Sequence, residues 1–207
     1  MLSFKFLAQG GPVMVLLLAL SILSVVLILE RLFFWAKVVG RQDQFIREFL
    51  TFYMRDRSKA FGLLKENPQF PIARIFSAAL TLKQPTIEEF HLALESAAQS
   101  ELPLLRRFGT IFATIISVSP LLGLLGTVLG LIGSFSALQL GDLGGSDTTG
   151  VTAGISEALI STAFGLAIAI MTLMFSNAFR GLYLRQITSI QEFTGQLELL
   201  YRRSHLQ

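Results

Sequence analysis

Gly123, Thr127, Gly130 and Ser134 are spaced by 4, 3 and 4 residues, and Ala158, Thr162, Gly165 and Ala169 repeat that spacing. At 3.6 residues per turn, each set lies along one stripe of a helix. Both stripes sit in segments without a charged side chain, and each has a threonine near its middle. Small residues let helix backbones approach closely inside a bilayer. A hydroxyl at that depth is costly without a partner, which makes Thr127 and Thr162 candidates for function. A threonine donates and accepts hydrogen bonds and does not titrate near neutral pH. It can hold water or solvate a carboxylate without trapping the proton. The alternative is that both hydroxyls bond back to the carbonyl four residues earlier. Gly123, Gly126, Gly130 and Gly133 likewise have the alternative of ordinary helix packing within one subunit.

Enzyme signatures are missing. There is no HExxH, GxSxG or GxxxxGK[ST] motif. The absence of cysteine excludes disulfides, thiol catalysis and Cys-ligated metals. The two histidines, His91 and His205, read as solvated surface residues rather than a metal or relay pair. No catalytic, cofactor-binding or metal-binding residue is expected, and no cofactor. A proton path through a membrane normally uses a titratable side chain, most often a carboxylate. No Asp, Glu, His, Lys or Arg lies in the middle of any apolar run; Glu157 comes closest, at the outer end of the third. If protons move here, the acid must come from another polypeptide.

The elements that would position these residues are membrane spans. Apolar residues make up 52% of the 207 and charged residues 15%, which argues against a soluble globular chain. Charge-free runs extend over Phe6–Leu29, Phe108–Gly141 and Ala158–Phe179. Each reaches the roughly 20 apolar residues that a bilayer-crossing helix needs. The second exceeds one span, so it extends past the membrane or tilts. The first reads as a span rather than a cleaved signal peptide. Its leading segment has one cation, Lys5, and the cations gather after the apolar run.

Cations crowd the segment from Lys37 to Arg107 and the tail from Arg180, whereas the loop after Gly141 has only Asp142 and Asp147. The positive-inside rule therefore puts the long loop and the tail in the cytoplasm. The expected organisation is a periplasmic N-terminus (1–10), a first span (11–35), a cytoplasmic helical domain (36–107), a second span (108–140), a periplasmic loop (141–153), a third span (154–179) and a cytoplasmic helical tail (180–207). The fold class is an all-α membrane protein with long helical extensions. Trp35 reads as an interface anchor, and Glu30 and Arg31 as boundary markers.

Within the cytoplasmic domain, Phe45, Phe49 and Phe52 recur at helical spacing. Asn67-Pro68 and Phe70-Pro71 signal turns. Thr86 and Glu89 form a capping box at a helix start. That helix is expected to run into the second span with a kink at Pro103. The tail keeps a helical period through Leu182, Ile187, Ile190, Phe193, Leu197 and Leu200, so the third span is expected to continue as one long helix suited to packing between subunits.

Three segments now carry a resemblance. Pro120-Leu121-Leu122-Gly123-Leu124-Leu125-Gly126-Thr127-Val128-Leu129-Gly130 resembles the second-span motif of the MotA/TolQ/ExbB proton-channel family. Ile155-Ser156-Glu157-Ala158-Leu159-Ile160-Ser161-Thr162-Ala163-Phe164-Gly165-Leu166 is similar to its third-span motif, and Ile28 to Trp35 matches the end of its first span. Three spans with one large cytoplasmic loop resemble the ExbB and TolQ types more than MotA, which has four. The short N-terminus tilts towards ExbB without separating it from TolQ. The third span departs from the family in lacking the proline that many relatives have after the position of Gly165.

The resemblance implies an inner-membrane ring, a pentamer in the ExbB type, around helices of an ExbD- or TolR-like partner whose single span carries an essential aspartate. Proton flow through that aspartate would drive rotation or rearrangement. A TonB- or TolA-like protein would pass the energy to the outer membrane. By the same resemblance Thr127 and Thr162 would line the pore near the aspartate, with Glu157 at its outer mouth. Pro120, Gly123, Gly126, Gly130, Ala158, Gly165 and Ala169 would shape and pack the spans. The partners are thus further copies of the chain, these two protein types and the lipid bilayer, with no nucleic acid. One charge crossing the membrane releases about 2.3 kcal/mol per 100 mV. That suffices for a step if the neutral and charged aspartate favour different helix contacts.

Overall fold

A computed structural model describes residues 11–141 and 148–205. The expected N-terminal segment with Lys5, the loop residues Asp142 and Asp147, and the side chain of His205 lie outside the described residues. The described chain is all helix: α1 (Gly11–Arg55), α2 (Arg57–Glu66), α3 (Pro71–Leu80), α4 (Ile87–Leu105), α5 (Gly109–Gly141) and α6 (Thr148–His205). Three stretches are long and apolar enough to cross a membrane: Pro12–Arg55, Ile87–Ser136 and Gly150–Ser204. The all-α class holds. The third apolar run does continue into one helix of 58 residues.

The helices form two compact units. The first combines the chain up to Glu30 with Phe108–Asn177. It presents large apolar side chains outward: Leu121, Leu159, Phe135 and Ile170 are each more than half exposed. Such a surface needs lipid or protein around it. Its inside combines large apolar side chains, Met14, Leu17, Phe112 and Ile115 among them, with small and hydroxylic ones: Ser24, Ser119, Ser134, Ala158, Ser161, Ala169 and Thr172 are all buried.

The second unit, Arg31–Arg107 with Ala178–Gln207, has an ordinary apolar core. Phe45, Phe49 and Tyr53 stack one turn apart on α1, and Phe70 and Phe76 pack against them. Asp56 caps α2 through the Lys59 amide. α2 ends before Asn67, and α3 begins at Pro71, where a proline costs a helix nothing. The Thr86–Glu89 capping box is complete. Arg74 of α3 grips the buried Glu101 of α4 through two hydrogen bonds, the Nε one at 2.7 Å.

Two expectations need correction. Pro103 lies inside the last turn of α4, and the helix does not continue into the second span. It stops at Leu105, turns through Arg106–Phe108 and restarts at Gly109. Phe108 takes φ +67°, a left-handed conformation that closes the first helix and is costly for a bulky residue. Trp35 does not face outward as an interface anchor. It is 3% exposed inside the second unit, edge-on to Phe34, and its indole N–H is buried without a hydrogen-bond partner. Arg31 is likewise buried; its guanidinium covers the Phe34 ring and donates to the Leu104 carbonyl.

Candidate proton site between two small-residue helix faces

The two sequence stripes pack against each other. A Cβ built on Gly123 would lie 3.0 Å from the Thr162 Cα, and one on Gly130 would lie 2.7 Å from the Gly154 carbonyl and 3.0 Å from the Ala158 Cβ. One on Gly165 would lie 2.5 Å from the Ser119 carbonyl, and one on Gly126 would collide with the Ser161 side chain. Glycine is required here because the backbones of α5 and α6 nearly touch. Gly123, Gly126, Gly130, Ala158, Gly165 and Ala169 are therefore all buried within one chain. The alternative of packing inside a subunit holds for Gly123, Gly126 and Gly130; Gly133 is exposed and meets nothing. Pro120 stands inside α5, half-buried, one residue after the buried Ser119.

The hydroxyls divide by their partners. Thr162 donates across the interface to the Gly123 carbonyl at 2.9 Å instead of bonding back along its own helix. Thr127 bonds within its own helix, to Leu124 at 2.6 Å, three residues back rather than four. Both threonines are half-buried. The facing pairs Gly123–Thr162 and Gly130–Ala158 set an antiparallel register, in which Thr127 is level with about Leu159–Ile160. Thr127 thus sits less than one turn, about 3–5 Å, farther along than Thr162. Glu157 is half-buried on α6, one residue before the buried Ala158.

Other hydroxyls are more deeply buried, and of these only Ser134 belongs to a sequence stripe. Ser161 is fully buried and donates to Ala158 at 2.9 Å, with Gly123 as a weaker second acceptor at 3.4 Å. Ser134 bonds to Gly130 at 2.9 Å and reaches Val151 of α6 at 3.2 Å. Ser24 of α1 and Thr172 of α6 are 2.7 Å apart. Thr172 has one hydroxyl hydrogen and gives it to Ile168, so Ser24 is the donor of the pair. A search for small residues at helical spacing misses this link, because Ser24 has apolar neighbours and no motif.

In the second unit His91 is not a lone surface histidine. Its Nδ1 lies 2.8 Å from Glu198, which also accepts from Arg202. Burial raises the Glu198 pKa, but the hydrogen bonds from His91 and Arg202 prevail and hold it below the ordinary carboxylate value. The pair stands at a groove of about 480 Å³ between α4 and α6. Among the described residues, no group of three or more His, Asp or Glu side chains is placed to hold a metal ion.

Known proteins resemble this chain in sequence. A model of the MotA/TolQ/ExbB proton channel family matches residues 67–192, which include both threonines and the close-packed faces. A Synechocystis sp. protein described as biopolymer transport protein ExbB-like 3 is 56% identical over 198 residues, covering 96% of this chain and 94% of that protein. Its paralogue ExbB-like 1 is 39% identical over 195 residues, covering 94% of this chain and 77% of its own length. The Tol-Pal system protein TolQ of Haemophilus influenzae is 38% identical over 122 residues, covering 58% of this chain and 46% of TolQ. The chain, with its three membrane-length apolar helices, belongs to the MotA/TolQ/ExbB proton channel family.

Proposed function

We propose that this chain is a subunit of a proton-motive-force-driven motor of the bacterial inner membrane, of the ExbB type, and not an enzyme. It forms a homo-oligomeric ring, a pentamer by family resemblance, around ExbD-like helices that carry a membrane-embedded aspartate. A TonB-like protein takes the work to outer-membrane transport. The N-terminus and the 141–153 loop are periplasmic; residues 36–107 and the tail from 180 are cytoplasmic. The observation that carries this reading is the chemistry of the spans: the polar side chains in their middle are hydroxyls, several of them buried in helix contacts, with no ionisable group at mid-membrane. Such a chain can surround a proton carrier but cannot be one.

The hydrogen bonds suggest how Thr162 and Thr127 serve the carrier. Each gives its one hydrogen to a carbonyl, so its oxygen is left to accept. An accepting hydroxyl suits a protonated carboxyl group. A carboxylate would need the hydroxyl to turn away from its carbonyl. The neutral and charged aspartate are thereby solvated differently, and each protonation step favours a different helix contact.

Proton flux into vesicles tests this. Vesicles with the chain and its single-span partner conduct when a potential is applied; vesicles with the chain alone do not. Flux through the isolated chain overturns the division of labour, and no flux through the complex makes the chain a non-conducting scaffold. The TolQ similarity supports a second assignment, to a Tol-type envelope system with TolR- and TolA-like partners. Which partner co-purifies decides between them.

A further inference from the structure

We propose that the end of the second unit at which the chain passes to and from the apolar runs is a binding belt for the headgroups of anionic phospholipids. The inference rests on the membrane reading above, not on proton conduction. Hydrogen bonds inside this unit gather three stretches of chain at that end. Arg31 of α1 donates to Leu104 near the end of α4, and Gln186 of α6 donates to Gln42 of α1 at 2.9 Å. Six cations lie within or beside these links: Lys37 and Arg41 on α1, Arg106 and Arg107 in the α4–α5 turn, and Arg180 and Arg185 on α6.

All six are exposed. Residues 31 to 42 span only about 16 Å of helix, so the charges form a layer and not a scatter. The acids nearby are few. Glu101 is buried and held by Arg74, which leaves Asp43 and the half-buried Glu30. Exposed apolar side chains share the layer, with Phe33 69% and Leu104 50% exposed. Cations beside apolar groups match the phosphate and glycerol–acyl boundary of a lipid. An acidic soluble partner offers the charge without the apolar part. Arg106 and Arg107 are exposed in the turn that ends at the left-handed Phe108. Guanidinium groups bind phosphate oxygens in a bidentate manner. Clustered cations immediately beyond a span attract anionic lipid in this way, at up to about fivefold per cation at low salt.

Spin-labelled phosphatidylglycerol and phosphatidylcholine, compared on the full chain reconstituted with its partner, read the preference directly. At low salt the phosphatidylglycerol label is held several-fold more strongly. The preference falls towards unity at molar salt, a result that needs no variant. It also falls in R106Q/R107Q/R180Q/R185Q and is kept in R55Q/R57Q/K59Q, which changes cations at the end of α1 and the start of α2, beyond the 31–42 layer. Equal retention of both labels in the wild type, or equal loss in the two variants, overturns the belt. So does a preference absent from the assembled complex because protein covers the cations. A complex that does not enter bilayers at all fails on the membrane reading instead.

Discussion

Thr162 and Thr127 hold equivalent places in the two sequence stripes but have different partners. Thr162 ties α6 to α5, while Thr127 is satisfied within one turn of α5. Replacing Thr162 by alanine therefore removes an interhelical bond as well as an acceptor, and Thr127→Ala removes the acceptor alone. Each is expected to lower partner-dependent proton flux by about tenfold, the equivalent of one hydrogen bond of about 1.4 kcal/mol. Both variants should keep the wild type's assembly size by native mass spectrometry. Thr162→Ser keeps the hydroxyl and most of the flux. Normal flux in both alanine variants removes the proton-path assignment. Thr127→Leu adds bulk at a half-buried position and should reduce the yield of co-purified partner; an unchanged yield counts against that helix lying beside Thr127.

Two helix faces set the tolerance of the first unit to change. A Cβ at Gly165 meets backbone, the Ser119 carbonyl at 2.5 Å, and a helix backbone cannot yield as a side-chain tip can. Gly165→Ala is expected to force α5 and α6 apart at a cost of about 1–3 kcal/mol, seen as a lower unfolding midpoint in detergent. Gly133 has nothing within 4 Å, so Gly133→Ala should leave that midpoint unchanged or raise it. Equal sensitivity at both positions would mean that the faces do not pack as described. The α4–α5 break is also an element-scale matter. Pro103 withholds the amide that would bond the Gln99 carbonyl, and the helix breaks before the left-handed Phe108, three residues beyond the end of α4.

For the molecule as a whole, the two units depend on different solvents. The first exposes many large apolar side chains besides those it buries, so lipid or protein must cover it. The second has an aromatic core and surface ion pairs, and its stability should respond to pH. Glu198 is held below its ordinary value, so its contribution is full above about pH 4.5. It is lost as the pH falls from there through the lowered native value. Glu89, lowered by the backbone and side-chain hydrogen bonds of Thr86, acts in the same direction. Acid unfolding of the second unit, followed by the near-ultraviolet signal of Tyr53 and Tyr201, should shift to higher pH in Glu198→Gln, which lacks the contribution that the wild type keeps down to the lowered value. An unshifted transition would show that the His91–Glu198–Arg202 contacts add nothing measurable.

The amino-acid order alone determined the three apolar runs, the capping box at Thr86, the turns at Pro68 and Pro71 and the unbroken helix into the tail. These follow from local rules of hydropathy, period and backbone restriction. It also marked the small-residue stripes, because close approach needs glycine wherever it occurs. Only the tertiary structure decided that the stripes face each other within one chain, that Thr162 reaches Gly123, that Ser24 finds Thr172 and that Trp35 turns inward. Those outcomes depend on which helix lies opposite and in what register. Residues 148 positions apart settle that register jointly, and no local window contains it.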